Sequence, residues 1–256
     1  LINSLDLIHF LSLKENNFNN ASFIPSDPVS IPHRFRGKEE REISGFLAAT
    51  LAWGRRDIIL KSCDRLLRLM EDSPYDFVMN ASASDLKPLN SFVHRTFNGT
   101  DAVAFVKSLQ HVYRNHGGLE AIFTPLPTDE PDTGAHITRA RHKFFELKHP
   151  QRTEKHFADP SRGSAAKRIN MFLRWMVRRD ENGVDFGIWK SISPAQLICP
   201  LDVHSGRVAR EFGLLTRQQN NWKGAVELTS NLRKIDPEDP VRFDYALFGM
   251  GVNEDL

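Results

Sequence analysis

Apolar residues recur every three to four positions along most of this chain, the spacing of one buried helix face. Glu39 to Trp53 carries Ile43, Phe46, Leu47 and Leu51, and Asp57 to Met70 carries Ile58, Leu60, Leu66, Leu67 and Met70. The break between them is only Gly54-Arg55-Arg56, so the two helices are expected to pack as neighbours. Asp101 to Tyr113 repeats the pattern with Val103, Phe105, Val106, Leu109 and Val112, and Gly117-Gly118 stops it. A Pro- and acid-rich loop follows from Thr124 to Thr133, with Asp129, Glu130 and Asp132. Further helices are expected over Gly134 to Lys148, Ser164 to Arg179, Val203 to Phe212, Thr216 to Leu232 and Pro237 to Phe248. Between Asp180 and Leu201 lies a long excursion without helical periodicity. Alternating β-branched runs and Asn-Gly or Asp-Gly hairpin signals are missing, so strands should be scarce. The pattern predicts an all-α, two-lobed protein, one lobe roughly 31–149 and the other roughly 1–30 plus 150–256, with a cleft as the natural place for a site.

Composition narrows the function without naming it. A chain of 256 residues with 40% hydrophobic and 26% charged residues has the balance of a globular protein. The net charge of +2 does not announce a nucleic-acid partner, so such a claim rests on where the charges sit. Cys63 and Cys199 are far apart and too few for a structural zinc site or a four-cysteine cluster. No metal, cofactor or disulfide framework is therefore expected. No apolar run reaches the roughly 20 residues of a membrane span. Leu1 to Leu13 is amphipathic, interrupted by Asn3, Ser4, Asp6 and His9, unlike a signal peptide. A cytoplasmic protein with no membrane partner is expected.

Charge is nevertheless uneven. From Gln151 to Arg179 there are eight cations against Glu154 and Asp159, a local charge of about +6. On the helix from Ser164, read as its N-cap, Ile169, Phe172, Leu173, Met176 and Val177 form the apolar stripe. Lys167, Arg168, Arg174, Arg178 and Arg179 fall elsewhere. Lys167 lies in the first turn, where the positive end of the helix dipole disfavours a cation and leaves the amine more available as a nucleophile. A solvated lysine on a basic face is the plainer alternative. The cations beside Phe172 and Trp175 suit an anionic polymer, since phosphates need charge and unstacked bases need aromatic surface.

Two other segments are candidates. Cys199-Pro200-Leu201-Asp202-Val203-His204-Ser205-Gly206-Arg207 places an aspartate at a helix start, where a structural N-cap is the plain alternative. Asp202 and His204 are two residues apart on a helix and point in different directions, which rules out a shared metal. Trp53-Gly54-Arg55-Arg56 joins an aromatic residue and two arginines at a turn, suited to phosphates or a base step, or simply a surface connection.

Leu201-Asp202-Val203-His204-Ser205-Gly206-Arg207-Val208 resembles the Val-Asp-Thr-His-Val-x-Arg-Val segment of the helix–hairpin–helix (HhH-GPD) DNA glycosylases, and Ala165-Ala166-Lys167-Arg168-Ile169 resembles the second helix of their hairpin. The archaeal 8-oxoguanine glycosylase branch is the nearest in character, with a long insertion between lysine and aspartate and no cluster cysteines. Phe46 to Cys63 resembles the early helix–turn–helix that carries a wedge residue, and Asp244 to Gly251 the closing helix. The chain also resembles an uncharacterised bacterial family of the DUF2400 type grouped near these enzymes.

The resemblance implies a DNA-repair N-glycosylase with AP-lyase activity on an 8-oxoguanine-like base, acting on damaged or abasic duplex DNA. It implies Lys167 as nucleophile and Asp202 as its catalytic partner. Trp53, Gly54, Arg55, Arg56, Arg162, Gly163, Ser164, Arg168, Arg174, His204 and Arg207 become candidate DNA contacts, and Phe172, Trp175 and Trp222 candidate base-pocket residues. Pro160-Ser161-Arg162-Gly163-Ser164 has one glycine where the family's hairpin usually has two, and Gly54 stands where a glutamine wedge is usual. The alternatives are a noncatalytic nucleic-acid-binding protein on the same fold and a helical protein-interaction scaffold.

Overall fold

The computed structural model describes residues 4–127 and 132–253. The acidic residues Asp129 and Glu130, and the first three residues of the amphipathic N-terminus, lie outside them. Of the described residues 64% are helix and 2% strand, as in an all-α protein. In chain order its helices are α1 (Ser4–Phe18), α2 (Lys38–Leu51), α3 (Arg56–Leu69), α4 (Pro74–Asn80), α5 (Gly99–Asn115), α6 (Leu119–Phe123), α7 (Gly134–Phe144), α8 (Lys167–Val177), α9 (Val203–Glu211), α10 (Trp222–Arg233) and α11 (Asp244–Asn253). Among the described residues a two-stranded antiparallel ladder joins β1 (Val93–His94) to β2 (Phe97–Asn98), with His94 opposite Phe97. No described helix is long and apolar enough to cross a membrane. Cys63 and Cys199 are both buried free thiols.

The chain divides into two compact units. A middle unit comprises Ile24–Thr128 and Ala135–Ala158. Its core is a cluster of phenylalanines. Phe46, Phe97, Phe105, Phe123, Phe144 and Phe157 are fully buried, and Phe105 meets Phe46, Phe97 and Phe144 with ring centroids 5.0 to 6.0 Å apart. Tilted and edge-on rings at such distances add to the stabilisation from area burial alone. Asn98 caps α5 in a reciprocal box with Asp101. Buried Asp101 also accepts from Arg152 at 2.7 Å and Thr153 at 2.8 Å, which ties the Gln151–His156 turn to α5.

A terminal unit comprises Leu1–Phe23, Asp129–Gly134 and Asp159–Leu256. Within it α11 packs against α1 and α9, and glycines set the approach. A Cβ on Gly249 would stand 2.3 Å from the Phe18 ring of α1, and one on Gly251 would stand 2.8 Å from the His204 carbonyl oxygen of α9. The aperiodic Asp180–Leu201 stretch folds back onto α8. Its Phe186 and Trp189 amides donate to the Trp175 and Met176 carbonyls at 2.8 and 2.9 Å, satisfying carbonyls that the helix end leaves open. Buried Trp189 then packs edge-on against Phe172 at 5.4 Å.

The sequence expects α8 to begin at a Ser164 cap and run to Arg179. The helix instead spans Lys167–Val177. Ser164 Oγ accepts from the Ala166 amide at 3.2 Å, and Ser164 pairs as a bridge with Asn221. Ala166 is the residue before the helix, at φ +48°, a left-handed conformation that costs a non-glycine residue free energy.

Candidate active site

Two helix starts in the terminal unit meet at the site. One is the start of α8. The strained Ala166 turns the chain so that Lys167 is the first helical residue. Asn170 Nδ2 donates to the Ala165 carbonyl at 3.0 Å, and the Asn170 amide closes onto the Ala166 carbonyl at 2.9 Å. The Trp222 amide donates to the Gly163 carbonyl at 3.0 Å, fixing the preceding turn to the start of α10.

The other is the start of α9. Asp202 is its N-cap, with Oδ1 accepting from the His204 amide at 2.8 Å and the Ser205 amide at 3.0 Å. Ser205 Oγ accepts from the Asp202 amide at 3.0 Å and closes the box. Asn220 Nδ2 donates to the Asp202 carbonyl at 2.8 Å. The cap uses Oδ1 and leaves Oδ2 directed at Lys167, whose Nζ donates to it at 2.6 Å. The Lys167 side chain is 30% exposed and that of Asp202 17%, so the pair is partly withdrawn from water and still reachable. The Lys167 ammonium also lies 5.3 Å from the centre of the Phe248 ring on α11.

Burial works to raise the Asp202 pKa, but the charge and hydrogen bond of Lys167 and the two cap amides outweigh it, so the carboxyl is held below its usual range. Asp202 is therefore an anion at neutral pH, a group that stabilises positive charge rather than one that readily takes a proton.

Behind the pair lies a buried charge network. Arg174 donates Nε to Asp185 at 3.3 Å and Nη1 to Asp244, and its guanidinium lies 4.1 Å from the centre of the Tyr245 ring. Arg178 meets Asp239 at 2.7 Å, Asp185 at 3.2 Å, Glu15 at 3.7 Å, and also Asp180. Burial pushes Asp244 up to about 6, although Arg174 and Lys167 favour its charged form. A carboxyl raised in the folded state contributes stability that is complete below its unfolded pKa, near 3.8, and is lost as pH rises through about 6. Carboxyl-carbon NMR is expected to show one aspartate titrating near pH 6 that vanishes in Asp244→Asn. A midpoint below 4 would mean that Arg174 outweighs burial.

The structure sorts the residues expected from sequence. Lys167 and Asp202 come together, and His204 and Arg207 meet at α11. His204 Nδ1 and Arg207 Nη2 both reach the Gly251 carbonyl, at 3.1 and 3.3 Å, and both residues are exposed. Arg162, Gly163 and Ser164 are exposed on the turn before α8. Arg168 is half-buried, and burial lowers its pKa to about 10. Trp222 is half-buried beside Gly134.

Arg174 is only 4% exposed and engaged by two aspartates, so it is an internal ion-pair residue instead of a phosphate contact. Phe172, on the apolar stripe, and Trp175 are both fully buried, so they are core packing instead of an open stacking surface. Trp53, Gly54, Arg55 and Arg56 belong to the middle unit. There Arg95 lies 4.9 Å from the centre of the half-buried Trp53 ring, and exposed Arg55 pairs with Asp57 at 3.0 Å. Sequence reasoning missed Phe248 and the Asp244–Arg174–Asp185 support. An acidic residue opening an apolar helix at Asp244 was the one available signal.

A partly exposed lysine and a capping aspartate joined at two helix starts define a mostly helical protein with a lysine–carboxylate site. Residues 27–253 match the family described as "Protein of unknown function (DUF2400)", and the chain belongs to it. No curated protein and no solved structure matches the chain.

Proposed function

We propose that this protein is a DNA-repair N-glycosylase with AP-lyase activity on an 8-oxoguanine-like damaged base. The observation that carries this reading is the 2.6 Å contact between Lys167 Nζ and Asp202 Oδ2. These two residues are 35 positions apart, and they are the nucleophile and carboxylate that the glycosylase resemblance requires together.

In the proposed reaction the base is flipped out of the duplex. The Lys167 ammonium gives a proton to water, and the free amine attacks C1′ while the C1′–N bond breaks and its electrons leave with the base, which takes a proton from water as it departs. Asp202 stays ionised and stabilises the positive charge that develops on the sugar at C1′. Its cap amides hold it in place, so little reorganisation accompanies the reaction. Ring opening then gives a Schiff base between Lys167 and C1′. Loss of a C2′ proton expels the 3′ phosphate and cuts the strand. Exposed Arg162 and Arg207 supply cations, the His204 ring a hydrogen-bonding group and the start of α8 amides for backbone phosphates.

The test is base release from a duplex containing 8-oxoguanine, compared between the native chain and Asp202→Asn. Asparagine caps a helix about as well as aspartate, so folding is retained while the charge is removed. Release is expected to slow by about 10²–10³-fold, the scale of losing one electrostatic stabiliser. Equal rates would remove Asp202 from the chemistry. Salt-sensitive DNA binding without any base release would favour a noncatalytic binder.

A further inference from the structure

In the middle unit, two imidazoles and a carboxylate converge on one point. His111 lies just before the last turn of α5, and His116 follows as its C-cap at φ −125°. Glu146 lies two residues beyond the end of α7. His111 Nε2 is 2.8 Å and His116 Nε2 2.7 Å from the same oxygen, Glu146 Oε2. The two rings are 5.1 Å apart and inclined at 77°, so their Nε2 atoms approach that point from different directions. One potential ligand atom from each of the three residues lies within 4.8 Å of the others. The imidazole side chains are 19% and 20% exposed and the carboxylate 47%, so the cluster is anchored on its protein side and open on the other.

We propose that His111, His116 and Glu146 form a three-ligand site for a zinc-type divalent transition-metal ion, with a further coordination position open to water. Two neutral imidazoles and one carboxylate are a donor set that suits zinc, and three protein ligands with an open position are its non-structural arrangement. The donor separations of 2.7 and 2.8 Å are shorter than the ~3.3 Å between ligands at a tetrahedral zinc. Half-exposed Glu146 moves outward to admit the ion.

A second observation concerns the far side of His111. Its Nδ1 lies 3.0 Å from the Asn115 side-chain amide. A metal-bound Nε2 needs its proton on Nδ1, and that N–H needs an acceptor. As it stands Asn115 Nδ2 donates both to Nδ1 and to the His111 carbonyl at 3.2 Å, so metal binding displaces the Asn115 side chain from Nδ1 and leaves the Nδ1–H to water. The bound ion would fasten the C-terminal end of α5 to the segment after α7. A plain ion-paired cluster of the same three residues is the competing explanation.

The test uses the untagged full chain, stripped with a chelator and titrated with Co²⁺ and then Zn²⁺. The expected result is one equivalent of Co²⁺ with a visible d–d band, displaced by Zn²⁺, and a higher Tm with either ion. Glu146→Gln and His116→Asn should each weaken Co²⁺ binding at least about tenfold. Because Glu146 is exposed, Glu146→Gln should leave the metal-free Tm unchanged, which separates lost ligation from lost folding. Absence of a d–d band at a protein concentration high enough for these weak transitions to be visible, or Co²⁺ binding unchanged in Glu146→Gln, would overturn the proposal.

Discussion

Lys167→Ala is expected to slow release of a damaged base by about 10⁴-fold or more, the order seen when a covalent nucleophile is removed. The lysine is the amine in contact with the Asp202 carboxylate, and alanine leaves nothing at that place to attack C1′. Stability should change little, because the Lys167 side chain is 30% exposed and alanine favours the first turn of a helix. A single-turnover assay on 8-oxoguanine duplex, with circular dichroism to confirm folding, gives both readings. A rate within threefold of the native chain would exclude a lysine nucleophile. Lys167→Arg keeps the charge and discriminates further. It should preserve the ion pair and lose the chemistry, since a guanidinium is not deprotonated in proteins.

The second large effect is on folding. Arg178→Ala is expected to destabilise the protein by about 3–5 kcal/mol, the scale of removing one partner from a buried ion pair. Burial works against the Arg178 charge, but Asp239, Asp185 and Asp180 outweigh it, and its pKa is raised. Alanine would leave their carboxylates, and that of Glu15, without the cation they share. They would then have to protonate or draw water into the core. Urea unfolding followed by tryptophan fluorescence measures the loss, since Trp175 and Trp189 are fully buried in the same unit. A change below 1 kcal/mol would mean that the acids find other partners. Replacing Arg178 by methionine should do no better, because it fills the space without restoring charge.

These two effects mark what the sequence can and cannot reveal. The helices were legible because their apolar spacing is local. The expected Glu39–Trp53 and Asp57–Met70 helices differ from α2 and α3 by only one or two residues at each end. Asp202 was legible for the same reason, as a capping residue ahead of a helix. The start of α8 was not, because the segment leading into it, Gly163 and Ser164, is held by Trp222 and Asn221, more than 50 residues away.

The basic stripe misled for a similar reason. Arg174 and Arg178 sit one helical turn apart and look like a solvated face. The acids that bury them, Asp185, Asp239, Asp244 and Glu15, are scattered from one end of the chain to the other. Phe172 and Trp175 could be read as a stacking surface because sequence does not say which aromatic faces are covered. Here the returning 180–201 segment covers Phe172 with Trp189. His111, His116 and Glu146 escaped notice because offsets of five and thirty positions between ligands match no metal motif. Only the end of α5 and the end of α7 bring them together.

The central claim is that Lys167 forms a covalent bond to DNA. It is tested most directly by incubating the full chain with duplex DNA containing an abasic site or 8-oxoguanine, adding borohydride, and mapping the adduct by mass spectrometry. The predicted result is a stable protein–DNA adduct whose modified residue is Lys167. No adduct with either substrate, or an adduct on a different residue that persists in Lys167→Ala, would contradict it.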